Sequence, residues 1–312
     1  MADRILLIRF SAIGDLLLTA PILEALVAQD HKVTLLVKDR FCSTASLLPG
    51  VDEVRTWESL KGESATSIAA QFDRIIDLQG TAQSKRFTAK QTIAVHTFYK
   101  PYIRRSLLLL TKSPRYALTP VVDRYAKAAE VSLRPKKTYS FKLGPAKYSN
   151  TLVLVIGGSK EGKRLQPGQW VQILEKVEHH NPLLLGGPED ASLAATLCQQ
   201  FPNCQDATET SVEQGLAIVK SAKLVVSGDT GFMHAAALMN VPLVSIWGAT
   251  HPHLGFAPWP ARENQRMILS TASTPISKHG SVPWWRSNPM AKVDVQEILA
   301  AIAAILPGKT KP

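Results

Sequence analysis

The sequence predicts an α/β fold of two doubly wound parallel-sheet domains, and three observations carry that expectation. Short apolar runs alternate with helical patterns along the chain. The runs are continuously apolar rather than alternating, as in parallel strands covered on both faces. The rhythm stops at a stretch rich in Pro, Lys and Gly, then starts again. The 312 residues suffice for two domains of ordinary size, and a 45% hydrophobic content supplies two cores.

In chain order, Ile5–Ile8, Val33–Val37, Val51–Trp57, Arg74–Leu78 and Ile93–Phe98 read as strands, with helices such as Leu16–Val27 between them. Arg134–Asn150 reads as a linker. Strand-like runs return at Leu152–Ile156, Leu183–Leu185, Leu224–Val226 and Leu243–Trp247, and Phe232–Met239 reads as a helix. A last helix, Val293–Ile305, follows an irregular stretch rich in Pro and Trp. The expected organisation is a Rossmann-like domain over 1–145, a second over 150–290, and a C-terminal helix and tail over 291–312. Two such series in tandem are expected to face a central cleft.

The net charge of +11 is unevenly placed. Fifteen lysines and arginines lie between Lys85 and Lys147, with only Asp123 and Glu130 against them. The basic excess therefore sits in about one fifth of the chain and suits an anionic partner: a membrane face, a phosphorylated glycan or nucleic acid. Few aromatics accompany it and no nucleic-acid module is recognisable, so no nucleic acid is expected. Peripheral association with an anionic membrane is expected through Tyr102–Tyr116, an apolar run flanked by Arg104, Arg105, Lys112 and Arg115. Cys42, Cys198 and Cys204 have neither C-x-x-C spacing nor an even count. They fit a reducing compartment, and a cytoplasmic location is expected. No apolar run approaches the ~20 residues that span a bilayer.

Three stretches follow strand ends and carry groups suited to a nucleotide. "RFSAIGDLLLTAP" places Gly14 and Asp15 at a strand-to-helix turn. Such turns usually offer N–H groups to a phosphate, which an aspartate would repel. Asp15 is then either a helix cap or a group with another task. "SGDTGFMHAAAL" puts Asp229, Thr230 and Gly231 at a second helix start. That turn either holds a diphosphate or merely caps the helix through Asp229, with His234 packed inside it. In "GGSKEGKRLQPGQW", Ser159, Lys163 and Arg164 either supply charge to a leaving diphosphate or form a solvated loop. Glu189 in "LLLGGPED" follows another strand end, where acids bind ribose hydroxyls in dinucleotide folds. No D-x-D pair is present, so no catalytic metal is expected; His251 and His253 have metal-ligand spacing but no third ligand. Trp284 and Trp285 read as packing for the C-terminal tail, with stacking on a sugar as the second reading.

Across nearly its full length the chain resembles the lipopolysaccharide heptosyltransferase family, glycosyltransferase family 9. "RILLIRFSAIGDLLLTAPILEAL", "DLQG" (Asp77–Gly80), "VVDRY" (Val121–Tyr125), "GKRLQPGQW" and "GDTGFMHAAALMNVPLVSIWGAT" resemble its motifs and fall in its order. The chain departs from it at Leu165-Gln166-Pro167, where the family often has a Trp-Pro pair.

The resemblance implies the GT-B fold and transfer of a sugar, typically from ADP-heptose, with inversion at the anomeric carbon. It implies that Asp15 is the general base, and that Ser159, Lys163, Glu189, Asp229, Thr230, Gly231 and His234 line the donor site. Gln79 and Arg124 would lie nearer the acceptor, an anionic glycolipid. Gly14 and Arg164 join the donor set, with Lys163 stabilising the leaving diphosphate. A non-catalytic nucleotide- or nucleic-acid-binding protein and a sugar-nucleotide epimerase are the competing readings.

Overall fold

The computed structural model describes residues 2–306, and the chain forms two units. The first comprises the chain through Pro101 together with Thr119–Lys142; the second comprises Tyr102–Leu118 together with the chain from Leu143. The tail beyond Leu306 lies outside the described residues.

The first unit is built on five parallel strands: β1 (Arg4–Ile8), β2 (Lys32–Val37), β3 (Glu53–Thr56), β4 (Arg74–Asp77) and β5 (Ala94–Thr97). They lie in the order β3-β2-β1-β4-β5. The second has six parallel strands: β6 (Leu152–Val155), β7 (Leu183–Leu185), β8 (Gln205–Asp206), β9 (Leu224–Gly228), β10 (Leu243–Trp247) and β11 (Gln265–Leu269). Their order is β11-β10-β9-β6-β7-β8. The expected parallel α/β architecture is therefore present in both units. In each sheet the chain winds outward one way, then returns to the middle and winds the other way. This creates a switch point between β1 and β4 and another between β6 and β9, where loops diverge and ligands bind in such sheets. Register aligns the strand ends there: Ile8 stands opposite Leu36 and Asp77, and Val155 opposite Leu185 and Ser227.

Continuous apolar runs become strands with no exposed face. Ile5, Leu6, Leu7 and Ile8 are fully buried, as are Leu183–Leu185 and Leu224–Val226. In the first unit Leu6, Ile8, Phe10, Leu36 and Ile75 share one cluster, which Trp57 joins edge-on to Phe10 at 5.0 Å. In the second, Trp170, Val226, Val244, Ile298 and Ile302 share a core. The helix Val295–Ile305 thereby seals the second sheet.

The structure departs from expectation in three ways. The helix expected over Leu16–Val27 is two helices, Ile13–Leu17 and Ala20–Val27. Pro21 lacks an N–H and its ring would strike the carbonyl four residues back, so the helix must restart. β8 and β11 went unforeseen because both are edge strands. β8 has two polar residues, and Met267 and Leu269 of β11 are exposed, so neither makes a continuous apolar run. Lastly, Tyr102–Leu118 belongs to the second unit, although it falls within the expected first domain. Leu108 and Leu118 pack on Leu254, and the Leu118 N–H donates to the His253 carbonyl at 2.8 Å. The basic stretch is therefore divided between the units.

The loop receiving Leu118 carries a titratable group. His251 Nδ1 accepts the His253 N–H at 3.1 Å, and burial, then the His253 ring, pushes the His251 pKa down to about 4. Its ordinary value is 6.5, so between these limits the unfolded chain takes a proton that the folded one refuses. Stability from this group is full above 6.5 and is lost as pH falls toward 4. In His251→Asn, which keeps an acceptor for the His253 N–H, Tm is expected to fall less steeply over that range than in the wild type. Parallel Tm–pH curves would show that the histidine has no part in it.

Candidate active site

At the first switch point the chain leaves β1 through Arg9, a buried arginine directly after four buried aliphatic residues. Its guanidinium reaches three partners. Nη1 donates to the Leu78 carbonyl at 2.7 Å, just beyond β4. Nη2 pairs with Asp15 Oδ2 at 2.6 Å. The planar group also lies 5.6 Å from the centre of the Tyr125 ring. Tyr125, itself fully buried, donates its hydroxyl to Asp15 Oδ1 at 3.3 Å. Burial raises the Tyr125 pKa and outweighs the lowering by the Arg9 charge, and Asp15 raises it further, so the phenol stays a proton donor. Burial opposes the charge on Arg9, but Asp15, Tyr125 and Asp77 together outweigh it and hold the guanidinium's pKa above its ordinary value.

These contacts decide between the two readings of Asp15. The N-cap of helix Ile13–Leu17 is Ala12, with no side-chain capping bond. Asp15 stands in the first turn, one residue after Gly14, and its carboxylate faces Arg9 and Tyr125. It is not the cap. Its side chain keeps 23% of its surface exposed, so solvent still reaches it.

The facing loop after β4 is fixed by Asp77, whose Oδ1 accepts the N–H groups of Gln79 and Gly80 at 2.9 and 2.8 Å. Gln79 returns its side-chain oxygen to the Phe10 N–H at 3.0 Å, so it ties the two loops of the switch point together. Arg124, next to Tyr125 on helix Val121–Ala129, donates Nε to the Thr119 carbonyl at 3.0 Å and lies over Phe98.

At the second switch point a cation again follows the first strand of its sheet, but here its carboxylate partner follows the end of the neighbouring strand, β9. Lys163 Nζ pairs with Asp229 Oδ2 at 2.8 Å, and both side chains are largely buried. Asp229 Oδ1 lies 3.9 Å from His234 Nε2, too far for a hydrogen bond. The cap of helix Gly231–Leu238 is Thr230, not Asp229: its Oγ1 accepts the Met233 N–H at 3.4 Å and lies 2.8 Å from Ser227 Oγ. Asp229 is thereby left to hold Lys163. The lysine's path requires two glycines. A Cβ on Gly228 would stand 2.2 Å from the Lys163 carbonyl oxygen, and one on Gly280, at φ +89°, would stand 2.7 Å from Lys163 Cγ.

Around this pair, Ser159 is exposed and Glu189 keeps 64% of its side chain in solvent. Arg164 is tied to protein. Its Nη1 pairs with buried Asp190 at 3.1 Å, its Nη2 lies 3.7 Å from Glu189, and its Nε donates to the Gly158 carbonyl. Lys163 is therefore placed at the switch-point turn, while Arg164 braces the loops after β6 and β7. Among the described residues, no group of three His, Cys, Asp or Glu is arranged to hold a metal ion.

Arg9, Tyr125 and Asp190 were not assigned roles from sequence. A charge directly after four core aliphatics marks Arg9. Tyr125 closes the VVDRY motif, but nothing local shows that it reaches Asp15 from 110 residues away.

Two doubly wound units, each with a charge pair at its switch point, define a GT-B-like α/β protein. A family model described as glycosyltransferase family 9 (heptosyltransferase) matches residues 64–281, and the chain belongs to that family. Lipopolysaccharide heptosyltransferase 1 of Salmonella typhimurium is 22% identical over 285 residues, covering 80% of this chain and 90% of that protein. Lipopolysaccharide heptosyltransferase 2 of Escherichia coli is 29% identical over 136 residues, covering 41% of this chain and only 38% of that relative. The E. coli heptosyltransferase WaaC with ADP shares the fold, with a TM-score of 0.70 at 18% identity, over 97% of this chain and 99% of that one.

Arg9→Lys keeps the charge but loses the planar fork that spans Asp15 and the Leu78 carbonyl. Tyr125→Phe removes one hydroxyl from a filled core. Both are expected to fold, and glycosyl transfer should drop by about 10-fold or more in Arg9→Lys and less in Tyr125→Phe. Wild-type turnover in both variants would mean that Asp15 needs neither partner.

Proposed function

We propose that this protein transfers heptose from ADP-heptose, with inversion, to a hydroxyl of a lipopolysaccharide-type glycolipid at the inner face of the cytoplasmic membrane. The observation that carries this reading is the Asp15 carboxylate: it does not stand at the helix N-cap, is held by a guanidinium and a phenol, and remains open to solvent. Family membership and the likeness to lipopolysaccharide heptosyltransferases support the donor and the acceptor class. So does the ADP in the E. coli structure that shares this fold.

In the proposed reaction Asp15 accepts the proton of the attacking hydroxyl as the new C–O bond forms. A carboxylate is too weak to ionise a sugar hydroxyl beforehand, but such help typically contributes about 10²–10⁴ in rate. Inversion needs one displacement and no covalent intermediate. ADP departs with the electrons of the broken bond, and its new charge falls to Lys163. An ammonium has three N–H donors. Asp229 takes one and fixes the nitrogen's place, leaving others for the diphosphate. The N-terminus of helix Gly231–Leu238, capped by Thr230, adds partial positive charge. Ser159, Glu189, Gly231 and His234 complete the proposed donor set, and Gln79 and Arg124 the acceptor side.

Asp15→Asn retains the shape but cannot take a proton. It is expected to keep the fold and donor affinity while losing at least ~100-fold in kcat, measured as ADP release with ADP-heptose and a lipopolysaccharide-core acceptor. Near-normal transfer would remove Asp15 from the chemistry.

Lys163→Ala should lower kcat by one to three orders of magnitude, about 1.4–4 kcal/mol of transition-state stabilisation. Asp229→Ala should act mainly through a raised KM, because the lysine loses its anchor. Unchanged kinetics in both would argue against the second switch point as the diphosphate site.

A further inference from the structure

Within the second unit, the helix Tyr102–Thr111 has one buried side and one bare side. Leu108 turns inward onto Leu118 and Leu254. Ile103, Leu107 and Leu110, spaced by four and three residues, share another face. Ile103 and Leu110 are each 80% exposed, and Tyr102 is 53% exposed. Single exposed aliphatic residues are ordinary on protein surfaces, but a second segment adds to these. Trp284 and Trp285 are 91% and 68% exposed, set edge-on at 5.5 Å. The expectation that they pack against the body is thereby corrected. The adjacent Arg286 lies close enough to Lys112, just past the helix end, for its charge to act there: burial, then Arg286, pushes the Lys112 pKa down. The tryptophan loop and the helix both belong to the second unit, and each bares large apolar side chains.

Both segments are basic, and one acid reaches them: Glu161 accepts the Val282 N–H at 2.8 Å, two residues before Trp284. Tyr102–Leu118 carries Arg104, Arg105, Lys112 and Arg115 and no acid; Thr271–Lys292 carries three more basic residues and again no acid. Protruding apolar and indole side chains among cations match the layered chemistry of a bilayer surface. Indoles favour the headgroup boundary, aliphatic side chains the acyl region, and cations the anionic lipids. A glycan would instead call for a concavity with carboxylates or amides free to hold hydroxyls, whereas these side chains project outward and the nearby Glu161 carboxylate and Asn288 amide are engaged with backbone groups.

We propose that the Ile103–Leu110 face and the Trp284–Trp285 loop together form an interfacial anchor that docks the second unit on an anionic bilayer. The proposal rests on the reading that the acceptor is a membrane glycolipid. It assigns the docking surface to particular side chains, two of them outside the basic stretch.

The test uses the full chain and vesicles that contain no lipopolysaccharide: phosphatidylcholine alone, or mixed with phosphatidylglycerol. Wild-type protein should sediment with the mixed vesicles, bind them at least ~10-fold more weakly at high salt, and show a blue shift of indole emission. Trp284→Ser with Trp285→Ser, and separately Ile103→Ser with Leu110→Ser, should each weaken binding by at least ~10-fold. These side chains are exposed, so folding should survive, and transfer to a water-soluble acceptor fragment should match wild type. Wild-type binding in both variants, or no binding by the wild type, would overturn the proposal. So would an indole shift produced by soluble core oligosaccharide and not by vesicles, which would make the loop a glycan site. Vesicle binding without transfer to any acceptor would leave the anchor standing and remove the proposed function instead.

Discussion

The arrangement of the first site depends on one buried cation. Arg9 leaves the central strand of its sheet with almost no contact with water, and a guanidinium in that position is tolerated only when paired and hydrogen-bonded. Asp15 supplies the charge and the Leu78 carbonyl an acceptor, while Tyr125 covers the planar face. Because those partners come from three separate segments, satisfying Arg9 also brings the β1 loop, the β4 loop and helix Val121–Ala129 together. The carboxylate proposed as the base is thus placed by the needs of the arginine beside it.

The second unit solves a related problem with different chemistry. Lys163 follows the first strand of its sheet, and Asp229 follows the strand paired with it across the switch point. The lysine's backbone passes against Gly228 and its stem against Gly280, where neither has a side chain, so its course is set by close packing as well as by charge. Pairing leaves the ammonium located yet still able to donate, whereas Arg164, one residue on, spends its fork on Asp190 and on the Gly158 carbonyl. Adjacent cations of the same motif thus differ in what they have left to offer a ligand.

Open doubly wound sheets explain why these groups gather where they do. Parallel strands aligned in register bring all their carboxyl ends to one edge, and reversal of the winding direction parts the loops at a single place. Each unit puts a largely buried ion pair there. The Trp284–Trp285 loop leaves from Gly280 beside Lys163, and neither its indoles nor the bare face of Tyr102–Thr111 has core packing that accounts for it.

Much of this was legible in the sequence because burial on both faces of a parallel sheet leaves uninterrupted apolar runs, such as Ile5–Ile8 and Leu243–Trp247. Those runs determined the strands, their parallel character and the repeat of the pattern, and the motifs after them marked Asp15, Lys163 and Asp229. Edge strands left no such trace, because β8 and β11 are short, polar or half-exposed. The attachment of Tyr102–Leu118 to the second unit depends on contacts with Leu254 and His253, far along the chain, which local pattern does not encode. Only tertiary structure decided what Asp15 and Asp229 do. Aspartate suits a helix cap and an ion pair equally well by composition, and the choice fell to Ala12 and Thr230 at the caps and to Arg9 and Lys163 as partners. A carboxylate's role is set by which cation folding brings within about 3 Å of it, and that distance is a property of the folded chain.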